Sequence, residues 1–327
     1  MDELSVKIYT GDGQLPNGLL EENFFHSSRL YDLLRQTPRH KPYMVTVEDA
    51  QGHIFCQMLA IVRNRTSWLP PCLYRQCRIV GEGAYADQTP LPAATLFGMM
   101  LQAIKKKLGR WVLFIEVSNL SQKMFAYRQF RENKFFPVRW MSIHNSLHSH
   151  TPEERISERM QRRINATYAK GVTTTEVESE DDFRAFMRLL RHHNWLKPKR
   201  YIPSDEFFRG FLQGYDGRLF LTRYHDLAIG CSAVVYSQRQ AYLWYTAFRR
   251  KSFAWLYPHI MTIWHVLKDS HQRGFDHVFF MDVGLPFRKN TYREFILRFG
   301  GKPTSTYRWF HCPIGWINNI LSWYYRE

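Results

Sequence analysis

The chain has 327 residues, 45% hydrophobic and 16% aromatic, with 45 Lys and Arg against 29 Asp and Glu for a formal net charge of +16. That much apolar material excludes a disordered or low-complexity chain, and the length suits two domains better than one. The charge and a pI near 9.7 point to an anionic partner: nucleic acid, a phosphorylated ligand or an anionic membrane surface.

No run approaches the roughly 18 apolar residues that span a bilayer, and the opening MDELSVKIYTGDG lacks the basic-then-apolar order of a signal peptide, so a cytoplasmic location is expected. The five cysteines, Cys56, Cys72, Cys77, Cys231 and Cys312, are scattered without a C-x-x-C pair and read as free thiols.

Strand-like runs YMVTV, HIFCQMLAIV and CRIVGEGA come first. A helix from Ala93 to Leu108 follows, with Leu96, Phe97, Met100, Leu101, Ile104 and Leu108 on one stripe and Gly109 as its stop. Next come the strand VLFIEV (Val112 to Val117) and a helical run containing YRQF (Tyr127 to Phe130). Thr151-Pro152-Glu153-Glu154 forms a capping box that opens a connector helix from Pro152 to about Lys170. On that helix Arg155, Arg159 and Arg162 share a face, with Arg163 beside them, opposite Ile156, Met160, Ile164 and Tyr168.

The second half repeats the order: runs RLFLTR, AIGCSAVVY and QAYLWYTAF, a helix from Pro258 to Arg273 stopped by Gly274, the strand VFFMDV (Val278 to Val283) and a helical YREF (Tyr292 to Phe295). VLFIEV and VFFMDV align position by position, each with its acid fifth. The repeat predicts two tandem α/β units, 1–150 and 151–327, each a mixed, mainly antiparallel sheet flanked by helices. The amphipathic tail WINNILSWYYRE is expected to pack on a core, with contact to a membrane or partner as the other reading.

The chain contains no G-x-S-x-G, P-loop, G-x-G-x-x-G or H-E-x-x-H motif, which removes support for serine hydrolase, P-loop and zincin chemistry. Arg249, Arg250 and Lys251 stand between a strand and the Pro258 helix, where cations can meet phosphate, and Arg162, Arg163 and Lys170 form a second candidate anion contact. Arg78-Ile79-Val80-Gly81-Glu82-Gly83 spells a phosphate-loop pattern but lies about ten residues from the nearest helix start, so strand glycines and a surface Arg are the expected reading. Glu116 and Asp282 occupy equivalent strand ends. His144, His148 and His150 lack a completing Cys or carboxylate cluster and read as linker residues, so no metal is expected. His192 and His193 close a helical run and receive no role.

The helix-Gly-strand-acid unit resembles the GNAT-type acyltransferase fold, and two in tandem resemble the Fem family of peptidoglycan interpeptide-bridge aminoacyltransferases. The likeness is carried by QRRINATYAKGV (Gln161 to Val172), FRAFMRLLRHH (Phe183 to His193), YLWYTAF (Tyr242 to Phe248) and YREFILRFGGKP (Tyr292 to Pro303). It implies transfer of an aminoacyl group from a charged tRNA to an amine on a cell-wall precursor peptide, at the inner face of the membrane, with no permanently bound cofactor. An acyl-CoA-dependent N-acetyltransferase is the alternative on the same fold. Within the acyl-transfer reading, Asp282 is the preferred acid and Tyr245 a donor to the oxyanion. A non-catalytic nucleic-acid binder is the rival of another class, disfavoured because most aromatics lie inside strand-like runs.

Overall fold

The computed structural model describes residues 4–11, 13–66, 73–120, 123–195, 201–214, 216–281 and 283–325. It divides the chain into two compact units, residues 1–140 with 305–327, and residues 141–304.

In chain order the first unit holds β1 (Ser5–Thr10), α1 (Ser28–Gln36), β2 (His40–Glu48), β3 (Ile54–Thr66), β4 (Leu73–Val80), β5 (Ala84–Tyr85), α2 (Ala93–Leu108), β6 (Phe114–Ser118), α3 (Tyr127–Glu132) and the start of β7 (Phe136–Ser146). The second holds the end of β7, α4 (Glu158–Ala169), β8 (Val172–Glu176), α5 (Glu180–Asn194), α6 (Asp205–Gln213), β9 (Gly217–Tyr224), β10 (Leu227–Ser237), β11 (Gln240–Phe248), α7 (Pro258–Gln272), β12 (His277–Phe280) and α8 (Thr291–Leu297). Most of β13 (Lys302–His311) and all of α9 (Gly315–Tyr324) return to the first.

The two units repeat one pairing scheme. In the first, β1, β2, β3 and β4 run antiparallel, β4 pairs β6 in parallel, and β6 pairs β13 antiparallel. In the second, β8, β9, β10 and β11 run antiparallel, β11 pairs β12 in parallel, and β12 pairs the end of β7 antiparallel. The last strand of each unit therefore comes from the other half of the sequence. A division at residue 150 misses this because hydrophobic periodicity identifies a strand but carries no information about its partner.

In the first unit α2 and α3 lay Leu96, Phe97, Met100, Leu101, Ile104 and Phe130 against Val45, Met58, Cys77, Ile115 and Trp309. Phe130 stacks on Trp309 with centroids 4.4 Å apart. In the second, α4 and α7 cover one face of the sheet with Met160, Ile164, Ile260, Ile263 and Trp264, while buried Phe186 of α5 and Phe208 of α6 meet at 5.7 Å. Burial of each Leu, Ile or Phe stabilises by about 2 kcal/mol before chain entropy opposes it. Gly109 and Gly274 end α2 and the turn after α7 at φ +46° and +77°, conformations that β-carbon sterics discourage in other residues.

Three expectations change. The Thr151–Glu154 capping box exists, with Glu154 Oε2 accepting from the Thr151 N–H at 3.0 Å, but it heads only a short turn, Glu153–Arg155. Ile156 is extended and Ser157 caps a separate helix by accepting from the Met160 N–H, so Arg155 leaves the face of Arg159 and Arg162. The strand in VFFMDV ends at Phe280. The C-terminal α9 buries only Asn318, and Trp316, Ile320, Trp323 and Tyr324 face solvent.

Cys56, Cys77, Cys231 and Cys312 are buried and free, and burial pushes the Cys56 thiol up to about 12; Cys72 lies outside the described residues. The Arg78–Gly83 stretch is structural: Gly81 packs against the His26 ring, and Arg78 lies 3.7 Å from Glu116.

Helix α7 is seated by a close approach. Gly230 on β10 lies directly under Thr262, and a Cβ there would overlap Thr262 Oγ1. Thr262 donates to the Pro258 carbonyl at 2.8 Å and meets the Thr222 hydroxyl at 2.8 Å, and Thr222 meets Thr174 at 2.9 Å. Gly230→Ala lowers stability by about 2–3 kcal/mol, and adding Thr262→Ala recovers part of it. Chemical denaturation of both variants measures the coupling.

His26 is fully buried, with the N–H groups of Leu59 and Gly83 each 3.0 Å from one of its ring nitrogens. A neutral ring accepts one such bond and an imidazolium neither, and burial lowers its pKa from 6.5 to about 3. The folded state binds fewer protons, so this stabilisation is present above the unfolded pKa and is lost as pH falls below about 6.5, by about 1.4 kcal/mol per pH unit until about 3. Urea titrations between neutral pH and about pH 4 will show the midpoint falling, with a shallower slope in His26→Gln.

Candidate active site

The difference between the two repeats lies where the parallel strands part. In the first unit β4 stays paired with β6 to its last residue, Val80 opposite Ser118. In the second, among the described residues β11 pairs β12 from Gln240 opposite His277 to Leu243 opposite Phe280, and β11 continues to Phe248. The register with β10 shifts at the same point: Ala233 faces Tyr245 and Val234 faces Leu243, which leaves Trp244 as the extra residue of a bulge. A bulge twists its strand locally, here where the parallel partner stops.

Past this opening the chain runs through a cationic loop into α7. The Arg249 N–H donates to the Ile229 carbonyl at 2.8 Å, which fixes the loop to β10, and the Phe253 N–H closes a turn onto the Arg249 carbonyl at 3.2 Å. The N–H groups of Arg250, Lys251 and Ser252 have no protein acceptor among the described residues. Tyr257 takes a left-handed conformation (φ +45°) and Pro258 begins the helix. No Asp or Glu occurs between residues 240 and 260, so positive potential here is not neutralised locally.

Two cations of the connector reach this loop through aromatic faces. Arg163 lies 5.3 Å from the Tyr257 ring centroid, and Lys170, the C-cap of α4, lies 5.2 Å from the Trp255 ring. Trp255 is 48% exposed, so a cation and an open aromatic face stand side by side. Arg162 points elsewhere, paired with Glu158 at 3.6 Å on the outer side of the helix. Of the six predicted anion contacts, the structure brings Arg163 and Lys170 to the loop of Arg249, Arg250 and Lys251 and leaves Arg162 apart.

Tyr245 is 8% exposed, with its ring against Phe208 at 5.2 Å and stacked on Trp244 at 5.8 Å, the surroundings of a core tyrosine. Asp282 lies outside the described residues. Its counterpart Glu116 is buried and structural: Arg308 donates to it at 3.1 Å, Ser118 donates at 3.2 Å, and Arg78 lies 3.7 Å away.

Two histidines frame the opening. His193, at the end of α5, places Nδ1 3.0 Å from the Phe248 carbonyl. His259, in the first turn of α7, lies between Phe248 and Phe295, with Nδ1 buried and without a hydrogen-bond partner among the described residues. Burial, with Arg250 and Arg298 nearby, pulls its pKa from 6.5 down to about 4, so its ring is neutral at neutral pH. His259 was not singled out from the sequence; its signal is its place directly after Pro258, at a helix start behind three cationic residues. Beside His193, a cleft of about 400 Å³ is lined by Arg191, His192, Asn194, Trp195 and Ile202. The buried Asn194 Oδ1 has no hydrogen-bond partner among the described residues.

His144 and His148 each meet His277, at 5.2 and 5.0 Å between centroids, and their Nδ1 atoms engage Thr304 and Ser146. Among the described residues no group of three or more His, Cys, Asp or Glu is arranged to hold a metal.

Residues 154–289 match the acetyltransferase (GNAT) domain family. No curated protein matches the chain in sequence. FemX has a similar structure at TM-score 0.63 and 10% identity, over 92% of this chain and 96% of that one. L-PGS from Bacillus licheniformis aligns at TM-score 0.59 and 8% identity, over 89% and 91%. A tandem GNAT protein from the clavulanic acid biosynthesis pathway aligns at TM-score 0.52 and 9% identity, over 94% and 99%. The opened strand pair thus lies within the segment that matches the acetyltransferase (GNAT) domain family, and the chain as a whole has a fold similar to those of FemX and a tandem GNAT protein.

Proposed function

We propose that the second unit transfers an aminoacyl group from a charged tRNA to an amine on a cell-wall precursor peptide, at the inner face of the membrane. The observation that carries the site is the early end of β11–β12 pairing with an acid-free cationic loop beyond it, against pairing that reaches the last residue of β4 in the first repeat. The tRNA donor is supported by the pairs Lys170–Trp255 and Arg163–Tyr257, which offer charge to a phosphate backbone beside aromatic faces for unpaired bases.

In this reading the acceptor amine adds to the acyl carbonyl and forms the C–N bond. The carbonyl oxygen gains charge and Tyr245 donates to it. Collapse of the tetrahedral centre breaks the C–O bond to the ribose, and the amine proton passes to Asp282 while the ribose oxygen is reprotonated. Arg163, Lys170, Arg249, Arg250 and Lys251 hold the donor, and Arg162 adds long-range charge. The cleft at Trp195 receives the acceptor.

A second reading has its own observation. Three successive N–H groups without protein acceptors among the described residues, Arg250 to Ser252, suit the pyrophosphate of an acyl-CoA, whose C–S bond would then be the one broken. Single-turnover assays with radiolabelled aminoacyl-tRNA and with acyl-CoA separate the donors, and product from acyl-CoA alone would overturn the tRNA reading.

With the working donor, Asp282→Asn and Tyr245→Phe each lower kcat by about a hundredfold or more. Arg163→Ala with Lys170→Ala raises the donor KM by about tenfold or more and flattens its salt dependence, with kcat little changed. Steady-state kinetics at two ionic strengths checks both statements.

A further inference from the structure

Helix α9 is amphipathic the wrong way round for a soluble surface. Its outward residues Trp316, Asn319, Ile320, Trp323 and Tyr324 follow i, i+3, i+4, i+7, i+8, so they form one continuous stripe. Trp316 is 68% exposed, Ile320 55%, Trp323 69% and Tyr324 71%. The side facing the protein holds the polar anchor: Cys312 N–H donates to Asn318 Oδ1 at 2.9 Å, and Asn318 Nδ2 donates to the Lys134 carbonyl at 3.0 Å.

The same end of the first unit's sheet carries further exposed apolar groups. A ladder of rings runs from Tyr325 through Phe136, Phe310 and Phe114 to Tyr74, with centroids 6.0, 6.1, 6.0 and 6.5 Å apart. Next to Tyr74, Arg75 covers the ring of Trp111 at 4.8 Å and its carbonyl accepts from the Leu113 N–H. Trp111 and Leu113 are both exposed. Six large apolar side chains thus stand exposed at one end of one unit.

Cations surround them. Lys105, Lys106 and Lys107 close α2, Arg110 follows, and no acid occurs between residues 104 and 113 or between 305 and 325. Lys105 donates to the Asn133 carbonyl at 2.9 Å, which places the lysine turn beside Lys134 and hence beside α9. Tryptophan and tyrosine with lysine and arginine around an apolar stripe is the composition that settles at the headgroup level of an anionic bilayer.

We propose that this end of the first unit, α9 with the Lys105–Leu113 segment, docks onto an anionic lipid bilayer surface, with Trp316, Ile320 and Trp323 entering the interface and Lys106, Lys107 and Arg110 facing the headgroups. The proposal is independent of the donor and acceptor chemistry, because its readout is lipid binding.

The test is co-sedimentation of the full chain with phosphatidylcholine vesicles, with and without about a third phosphatidylglycerol, alongside tryptophan emission. The protein is expected to bind the anionic vesicles, with a blue-shifted emission and weaker binding at high salt. Trp316→Ser with Trp323→Ser weakens partitioning by more than about tenfold. Lys106→Gln with Lys107→Gln, which leaves the apolar stripe intact, weakens it by about fivefold per cation. Absence of binding to either vesicle overturns the proposal, as does equal binding to neutral and anionic vesicles. Sedimentation equilibrium without lipid covers the other occupant: a dimer that the tryptophan variant dissociates would assign the stripe to a second copy. Should that variant fail to fold, the lysine variant still decides the question.

Discussion

The seat of α7 on β10 is the constraint on which the candidate site depends. Gly230 removes a side chain where Thr262 must pass, and the hydroxyls of Thr174, Thr222 and Thr262 form a chain that ends on the Pro258 carbonyl. The helix start is therefore held from below at its first turn. Because the Arg249 N–H is tied to Ile229, one residue before Gly230, both ends of the cationic loop are fixed to the same stretch of β10. A loop pinned at both ends can present Arg250, Lys251 and Ser252 to a ligand without first being ordered, so binding costs less conformational entropy.

The two repeats show how one fold can be closed in one copy and open in the other. Each brings a parallel strand pair and an acid near the end of the second strand. In the first copy the pairing runs to the end of β4, and the Glu116 carboxylate already accepts from Arg308 and Ser118. Its Oε1 is committed to these two donors with Arg78 3.7 Å away, so the carboxylate is held as part of the sheet. In the second copy the bulge at Trp244 breaks register with β10 just where β12 stops. The acid is the more conspicuous sequence signal, yet strand pairing separates the copies, and pairing is not written in any single residue.

Much of the architecture was legible because it rests on local rules. Helix α2 runs from Ala93 to Leu108 as its apolar stripe and Gly109 predict, and Pro258 begins α7. The mixed, mainly antiparallel sheets and the order helix, strand, helix, strand followed from period and punctuation alone. What failed depended on competition or distance. Ser157, not Thr151, caps the connector helix, and Ile156 just before it is extended and buried. The exchange of β7 and β13 between units involves partners far apart in sequence, which periodicity cannot see. For the site, Arg163 and Lys170 reach Tyr257 and Trp255 of the loop that begins at Arg249, Arg162 pairs with Glu158 instead, and His259 carried only its place after Pro258 as a signal, because the burial that chiefly keeps it neutral comes from the fold.

The tail teaches the same lesson from the other side. An amphipathic pattern fixes which residues share a face but not which face turns inward, and the ordinary expectation assigns the apolar face to a core. Here Asn318 decides the matter. Buried, with its amide bonded to both Cys312 and Lys134, it would lose both partners if the helix rolled to hide its tryptophans. Leaving a buried amide unsatisfied costs about 1–3 kcal/mol for each group. That opposes the roll, and the outward stripe is left for a surface that can cover it while Asn318 stays bonded.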